Sequence, residues 1–223
     1  LVLDHHQLEG RPPKARALVN PHVAKDGAHD FRELCSVGLA FKLLHALVKE
    51  GRKRKLPEMI SFDLRHYLDF VALGTIADLV PLTGENRILT KAGLDRLNRT
   101  KRLGLIALKS VSKSPDDIGA YEVGFQLGPR LNAAGRLNSA KASLELLLAD
   151  DAAEAGIIAA ELDKQNKDRQ KMERVISEDV VSTVLGKFNP DTDYVIVEGQ
   201  EHWHLGVVGI VAARVMRKFY RPA

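Results

Sequence analysis

Asp4-His5-His6 closes the apolar run Leu1-Val2-Leu3. A carboxylate followed by two imidazoles is a donor set for a divalent transition metal such as Mn²⁺. In an open α/β sheet, ligands gather at the carboxyl ends of strands, which is where this tripeptide would sit. A second acidic candidate is Asp78, set among apolar neighbours in Ala77-Asp78-Leu79-Val80-Pro81. A carboxylate in such surroundings is costly unless it is paired, hydrogen-bonded or metal-bound. Two divalent ions about 3.5–4 Å apart can clamp both oxygens of an in-line phosphoryl displacement. Asp4, His5, His6 and Asp78 could supply part of such a clamp. The plainer alternatives are a helix-end or turn cap for Asp78 and satisfied core or surface histidines for His5 and His6.

Two further segments carry groups suited to anions. In Gly128-Pro129-Arg130-Leu131-Asn132-Ala133-Ala134-Gly135-Arg136-Leu137, small residues permit close backbone approach. Arg130 and Arg136 offer guanidinium forks matched to phosphate oxygens, and Asn132 an amide donor. The alternative is a glycine-bounded turn between helices whose arginines cap carbonyls; the two arginines flanking a small-residue loop favour phosphate. Trp203-His204-Leu205-Gly206-Val207-Val208-Gly209 reads as a turn into a helix N-terminus, which can hold an anion. Tight packing with Trp203 as a core anchor is the favoured account, leaving His204 as a candidate substrate contact.

The elements that must position these groups are mostly helical. Apolar spacing predicts a helix from Phe31 to Lys49 closed by Gly51, with Arg52-Lys53-Arg54-Lys55 as a solvated loop. Helices are also expected at Phe62–Leu73, Asn86–Asn98, Leu105–Ser112, Ile118–Leu127 and Ser139–Leu148. From Ala152 to Gly186 the chain lacks proline, so one long helix is the economical reading. Its middle, around Asp163 to Lys171, is polar on every face, as in a helix that bridges solvent between domains. A short buried strand at Tyr194–Val197 and a helix at Val207–Phe219 follow.

Composition sets the outer limits. The 223 residues are 45% hydrophobic and 28% charged, with a net charge of +4. The mild basicity permits a polyanionic partner without requiring one. No stretch approaches the roughly 20 apolar residues that span a bilayer. The single cysteine, Cys35, excludes an internal disulfide and fits a cytoplasmic location; its place on the apolar pattern points to core packing. The chain starts at Leu1, inside an apparent strand, and is expected to be an internal segment of a longer protein.

In order along the chain, Leu3-Asp4-His5-His6 with Val19-Asn20-Pro21, then Ala72 to Leu82 with Glu85-Asn86-Arg87, resemble two signatures of the DHH phosphoesterase superfamily. The 128–137 segment, Glu161-Leu162-Asp163 with Asn166 and Arg169-Gln170, and Trp203 to Ala212 are similar to the RecJ family within it. The resemblance implies an α/β architecture. Residues 1–150 would be the C-terminal part of a parallel-sheet catalytic domain, 151–188 a long interdomain helix, and 189–223 the start of a second α/β domain. It also implies a Mn²⁺- or Mg²⁺-dependent 5′→3′ exonuclease on single-stranded DNA, active in recombination and repair, with two ions in the complete protein. A helicase and a single-strand-binding protein are implied as partners.

Carried over by motif, His5 and Asp78 would be metal ligands, and His6 would face the scissile phosphate. Asp4 would orient the pair or complete the metal shell, and Arg130, Asn132 and Arg136 would grip the DNA backbone. The family's first two carboxylate signatures precede the Asp-His-His segment, and its glycine-glycine-histidine signature lies beyond Ala223. The 223 residues alone are therefore expected to bind metal weakly and not to cleave. The alternatives are another phosphoesterase of the superfamily, acting on short oligonucleotides or pyrophosphate, and a non-catalytic DNA-binding relative.

Overall fold

The computed structural model describes residues 1–23 and 31–223. They divide into two compact units, Leu1–Pro129 and Arg130–Ala223.

The first unit opens with two short parallel strands, β1 (Val2–Leu3) and β2 (Leu18–Val19), in register Val2 to Leu18 and Leu3 to Val19. Parallel pairing brings both carboxyl ends to one edge: the N–H of Asp4 donates to the carbonyl of Val19 at 3.1 Å. Asp4 and Asn20 thus leave the sheet side by side.

Helix α1 (Ser36–Lys53) follows and runs through Gly51 instead of stopping there. Half of the expected basic loop is therefore helix, because Arg52 is tied down by donation to the carbonyls of Met59 and Phe62. After α2 (Pro57–Ile60) and a 3₁₀ turn at Leu64–Tyr67 comes α3 (Leu68–Ala77). Helix α3 is apolar nearly all round, as a helix enclosed by others must be. Val71, Ala72, Leu73 and Ile76 are all buried. It packs against α4 (Gly84–Asn98) and α1. Helix α5 (Leu103–Ser112) ends at Lys113 in the left-handed conformation, with φ +53°. The single turn α6 (Ala120–Glu122) then runs into a π-helical stretch, Val123–Leu127. Cys35 is buried, with its sulfur 3.5 Å from the Thr75 hydroxyl, in keeping with the expected core role.

Helix α7 spans Gly128–Leu137. The expected glycine-bounded loop is thus a regular helix. Pro129 stands in its first turn, where its missing N–H costs nothing, and Ala133 and Ala134 are buried. Small residues here allow close packing rather than a turn.

The second unit, which holds nearly all of α7, continues with α8 (Lys141–Leu148) and α9 (Ala152–Lys187). At about 1.5 Å per residue, the 36 residues of α9 extend roughly 54 Å. Asp151 caps its start by accepting from the N–H of Glu154 at 2.8 Å. The last helix, α10 (Leu205–Phe219), lays Val207, Val211 and Val215 against Ile176, Val180 and Val184 of α9, with Ile196 completing the cluster.

Two expectations change here. The middle of α9 is not a solvated bridge: Asp163, Asn166 and Glu173 are buried, recurring on one side at helical spacing. The segment Tyr194–Val197 is not paired as a strand. Its Ile196 N–H reaches only the Pro222 carbonyl, at 2.8 Å, and Tyr194, Val195 and Val197 are exposed. A strand exists only through its ladder, and among the described residues no neighbouring strand flanks this one. Among the described residues, no helix is long and apolar enough to cross a membrane.

Candidate metal centre and arginine network

The carboxyl end of β1 delivers Asp4, His5 and His6 together. Each offers one ligand atom, and these atoms all lie within 4.8 Å of one another. The fourth candidate arrives from elsewhere. Asp78 is the residue after the last turn of α3, and its Oδ2 stands 2.8 Å from His5 Nε2. Asp78 is therefore both a helix-end residue and a partner of the cluster, so the two readings of it are compatible.

Burial falls off across the cluster. The His5 side chain is 16% exposed, while that of His6 is 75% exposed. His5 is held at both ring nitrogens, with Nδ1 2.9 Å from the Ser36 hydroxyl oxygen at the start of α1. In the tautomer protonated at Nε2, the ring donates to Asp78 and its Nδ1 accepts from Ser36. Moving the proton to Nδ1 turns the Nε2 lone pair toward the Asp78 carboxylate. Two lone pairs facing one another are the arrangement that two ligands of one divalent ion present.

His6 Nδ1 lies 2.8 Å from Asp4 Oδ1. That imidazole hydrogen bond, aided by the His6 backbone N–H, holds the Asp4 carboxyl below its ordinary range against the partial burial that opposes it. Asp4 is thus a carboxylate at neutral pH. Asn20, at the end of β2, donates to the His6 carbonyl at 2.9 Å and more distantly to Asp4 Oδ2. Ser36 and Asn20 are contributors whose roles the sequence did not reveal. Asn20 stood in the Val19-Asn20-Pro21 signature with no role attached, its role coming from the parallel register, and Ser36 had no signal. Two imidazoles and two carboxylates make a hard-to-borderline set that fits Mn²⁺ or Mg²⁺.

The arginine candidates lie in the second unit and behave differently from one another. Arg130 donates from Nε and from a terminal nitrogen to Asp163 Oδ1, both at 2.9 Å, and its side chain is 15% exposed. Lys167 adds a contact to the other Asp163 oxygen at 2.6 Å. Burial pushes the Asp163 carboxyl up, but Lys167 and Arg130 outweigh it and the net displacement is downward.

Asn132 and Arg136 are exposed. The Arg136 guanidinium reaches the Gly206 carbonyl at 3.3 Å. Gly206 is required there, since a Cβ would lie 2.1 Å from the Arg136 carbonyl oxygen. His204 caps α10, its Nδ1 accepting from the Gly206 N–H at 3.1 Å. That capping bond occupies the ring nitrogen nearest the helix.

Between α7, α9 and α10 lies a group the sequence reading had not assembled. Glu173 is bridged by Arg169 at 2.8 Å and Arg214 at 2.7 Å, and Arg169 also donates to Asn166 at 2.9 Å. Burial displaces the Arg169 guanidinium downward, Arg136 and Arg214 repel it, and Glu173 counters them.

No family model matches the chain. Whole-chain comparison finds relatives throughout. The single-stranded-DNA-specific exonuclease RecJ of Bacillus subtilis is 43% identical over 226 residues, covering all of this chain and 27% of that protein. Among solved structures, RecJ of Thermus thermophilus in complex with Mn²⁺ is 36% identical with a TM-score of 0.79, covering 97% of this chain and 31% of that one. Its complex with Mg²⁺ gives a TM-score of 0.76 at the same identity, covering 92% of this chain and 30% of that one. The chain spans 27% to 40% of the length of the curated relatives it matches. The whole of the chain, or nearly all of it, is thus similar to RecJ proteins in sequence and to their solved structures in fold.

Proposed function

We propose that this chain serves a metal-dependent 5′→3′ exonuclease that hydrolyses phosphodiester bonds of single-stranded DNA in recombination and repair. The observation that carries this reading is the Asp4-His5-His6 cluster within 4.8 Å, with Asp78 brought 2.8 Å from His5 by a different element. It is supported by relatives named as single-stranded-DNA-specific exonucleases and by RecJ structures holding Mn²⁺ or Mg²⁺.

His5 and Asp78 would hold the ion, and Asp4 would complete its shell or fix the orientation of His6. When bound, a divalent ion supplies Lewis acidity and an activated water for phosphoryl hydrolysis. His6, the most exposed of the three, is the side chain free to approach the scissile phosphate. Arg136 and Asn132 offer exposed donors to a strand backbone. Arg130 contributes by the same reading, through a guanidinium whose other obligation is Asp163. The helicase and single-strand-binding partners, the cytoplasmic location, and the division into 1–150, 151–188 and 189–223 belong to this family reading.

The test uses the full product of the gene encoding this chain, Mn²⁺, and strands labelled at either end. Mononucleotides released progressively from the 5′ end of single strands, and not from duplex, are expected. Cleavage confined to dinucleotides would favour a small-substrate phosphoesterase, and binding without cleavage a non-catalytic relative.

A further inference from the structure

The first end of α1 and the last turn of α3 are packed tightly together. A Cβ on Gly74 of α3 would lie 2.5 Å from Val37 Cγ1 of α1, so only glycine permits this approach. Beside that contact, the Cys35 sulfur lies 3.5 Å from the Thr75 hydroxyl oxygen. Ser36 stands between Cys35 and Val37, and Asp78 directly follows α3. The packing therefore sets where the Ser36 hydroxyl stands in relation to the Asp78 carboxylate.

The His5 ring lies between the two. Its Nδ1 is 2.9 Å from Ser36 Oγ, and its Nε2 is 2.8 Å from Asp78 Oδ2. One strand end thus presents an imidazole to two helices, and each ring nitrogen has its own partner. Turning the ring about its Cβ–Cγ bond breaks both contacts at once.

The partners differ in what they can do. An ionised carboxylate only accepts, whereas a hydroxyl has one O–H donor and two lone pairs. With the ring proton on Nε2, that N–H donates to Asp78 and the Ser36 O–H donates to Nδ1. For Nε2 to be a ligand atom, the neutral ring must carry its proton on Nδ1 instead. Rotation of the Ser36 O–H then lets Oγ accept from Nδ1–H with no heavy atom displaced. A carbonyl or carboxylate in this place would serve only the second arrangement, and an apolar side chain neither.

We propose that Ser36 is a positioning residue of the metal centre, whose hydroxyl orients His5 toward Asp78 and receives Nδ1–H when Nε2 holds a divalent ion. The inference deepens the exonuclease reading and rests on its assignment of His5 as a ligand. Ser36 touches neither ion nor substrate in this role; it acts through the ring. Partners that orient a ligand imidazole in this way are worth about 10- to 100-fold in metal affinity.

The test is the Mn²⁺ affinity of the full gene product without nucleic acid, read from the electron-spin-resonance signal of the free ion. Ser36→Ala should weaken binding about 10- to 100-fold. Ser36→Thr, which keeps the hydroxyl, should restore it. Ser36 is exposed in the first turn of α1, and alanine suits a helix, so the metal-free thermal midpoint should not fall. A second readout follows the ring itself, in protein labelled with ¹⁵N-histidine at mildly alkaline pH. The wild-type His5 proton should be on Nε2 without metal and on Nδ1 at saturating Mg²⁺. In Ser36→Ala that changeover should move to higher Mg²⁺ by the same factor as the Mn²⁺ affinity.

Equal Mn²⁺ affinity in wild type and Ser36→Ala, with the wild-type ring changing over, would overturn the role of Ser36 and leave the metal centre standing. A loss in Ser36→Thr as large as in Ser36→Ala would overturn it too, since the hydroxyl would not be what matters. A wild-type ring that keeps its proton on Nε2 at saturating Mg²⁺ would remove His5 from the metal shell, and the role of Ser36 with it. Both binding results as expected, in a protein that cleaves no single-stranded DNA, would reject the exonuclease reading alone.

Discussion

The molecule contains two clusters built from the same kinds of ionisable side chain, and they are finished in opposite ways. In the first unit, Asp4 and Asp78 face imidazoles, whose positive charge is conditional on a proton or a metal. In the second unit, Asp163 and Glu173 face Arg130, Lys167, Arg169 and Arg214, whose charge is permanent. The first cluster leaves its cation to be recruited; the second carries its cations in the chain. Exposure follows the same division: the Asp78 side chain is 39% exposed and that of Glu173 is 9% exposed. A carboxylate that exchanges a metal, the role proposed for Asp78, needs solvent access, whereas one that fastens helices together is best sealed. Residue type alone therefore does not mark a site. What marks it is whether the counter-charge is already present.

Mirror-image substitutions in the two clusters would break or sharpen this contrast. Glu173→Ala leaves Arg169 and Arg214 facing one another with no carboxylate between them. Removing one partner of a buried ion pair costs about 3–5 kcal/mol, so urea unfolding should show a loss of that size. A change under about 1 kcal/mol would mean the network is not structural. Asp78→Ala should do the reverse. Unfolding should move by no more than about 0.5 kcal/mol, as for most exposed substitutions. Mn²⁺-dependent hydrolysis by the full gene product should fall by at least about 100-fold, the upper cost of removing even an indirect metal partner. An unchanged rate would remove Asp78 from the metal centre. Mn²⁺ itself should tell the clusters apart. At 100 times its dissociation constant, an ion bound only by the folded state adds about 2.7 kcal/mol. That gain should vanish in His5→Ala and persist in Glu173→Gln, read as the shift in thermal midpoint.

The comparison also explains what was legible in the sequence. Asp4-His5-His6 could be found because consecutive residues at a strand end are brought together by the chain itself. Asp78 stood out as a lone carboxylate among apolar neighbours, and the structure brings it to His5. Helix α9 was legible at both ends, within one residue, because proline is absent and apolar spacing returns at Val175 and Ile176. Its middle was misread because a buried ion-paired stripe has no apolar signature. Asp163, Asn166, Arg169 and Glu173 look solvated until Arg130 and Arg214 arrive from helices distant in sequence. The same non-local dependence defeated the strand at Tyr194–Val197, since pairing is a property of two segments. In α7, glycine and alanine fit a turn and a tightly packed helix equally well, and only its neighbours decide.

The smallest expected effect concerns acid, and it separates permanent from conditional charge most cleanly. The folded-state pKa of Asp163 is depressed, with Lys167 and Arg130 overcoming burial. A depressed carboxyl contributes stability above its unfolded pKa, about 3.9, and loses it as pH falls through the folded value. Asp163→Asn removes that dependence. The variant should be less stable than wild type by about 1–2 kcal/mol at pH 7, the usual worth of hydrogen bonds to a charged group. The gap should narrow below pH 4 as the wild-type carboxyl protonates. Urea midpoints measured across pH 2.5–7 would display this convergence. Parallel curves for the two proteins would show that Asp163 draws its position from packing and not from the fixed charges around it. Convergence would mean that this stretch of α9 is held by charge built into the chain, whereas the proposed metal centre would take its counter-charge from an ion.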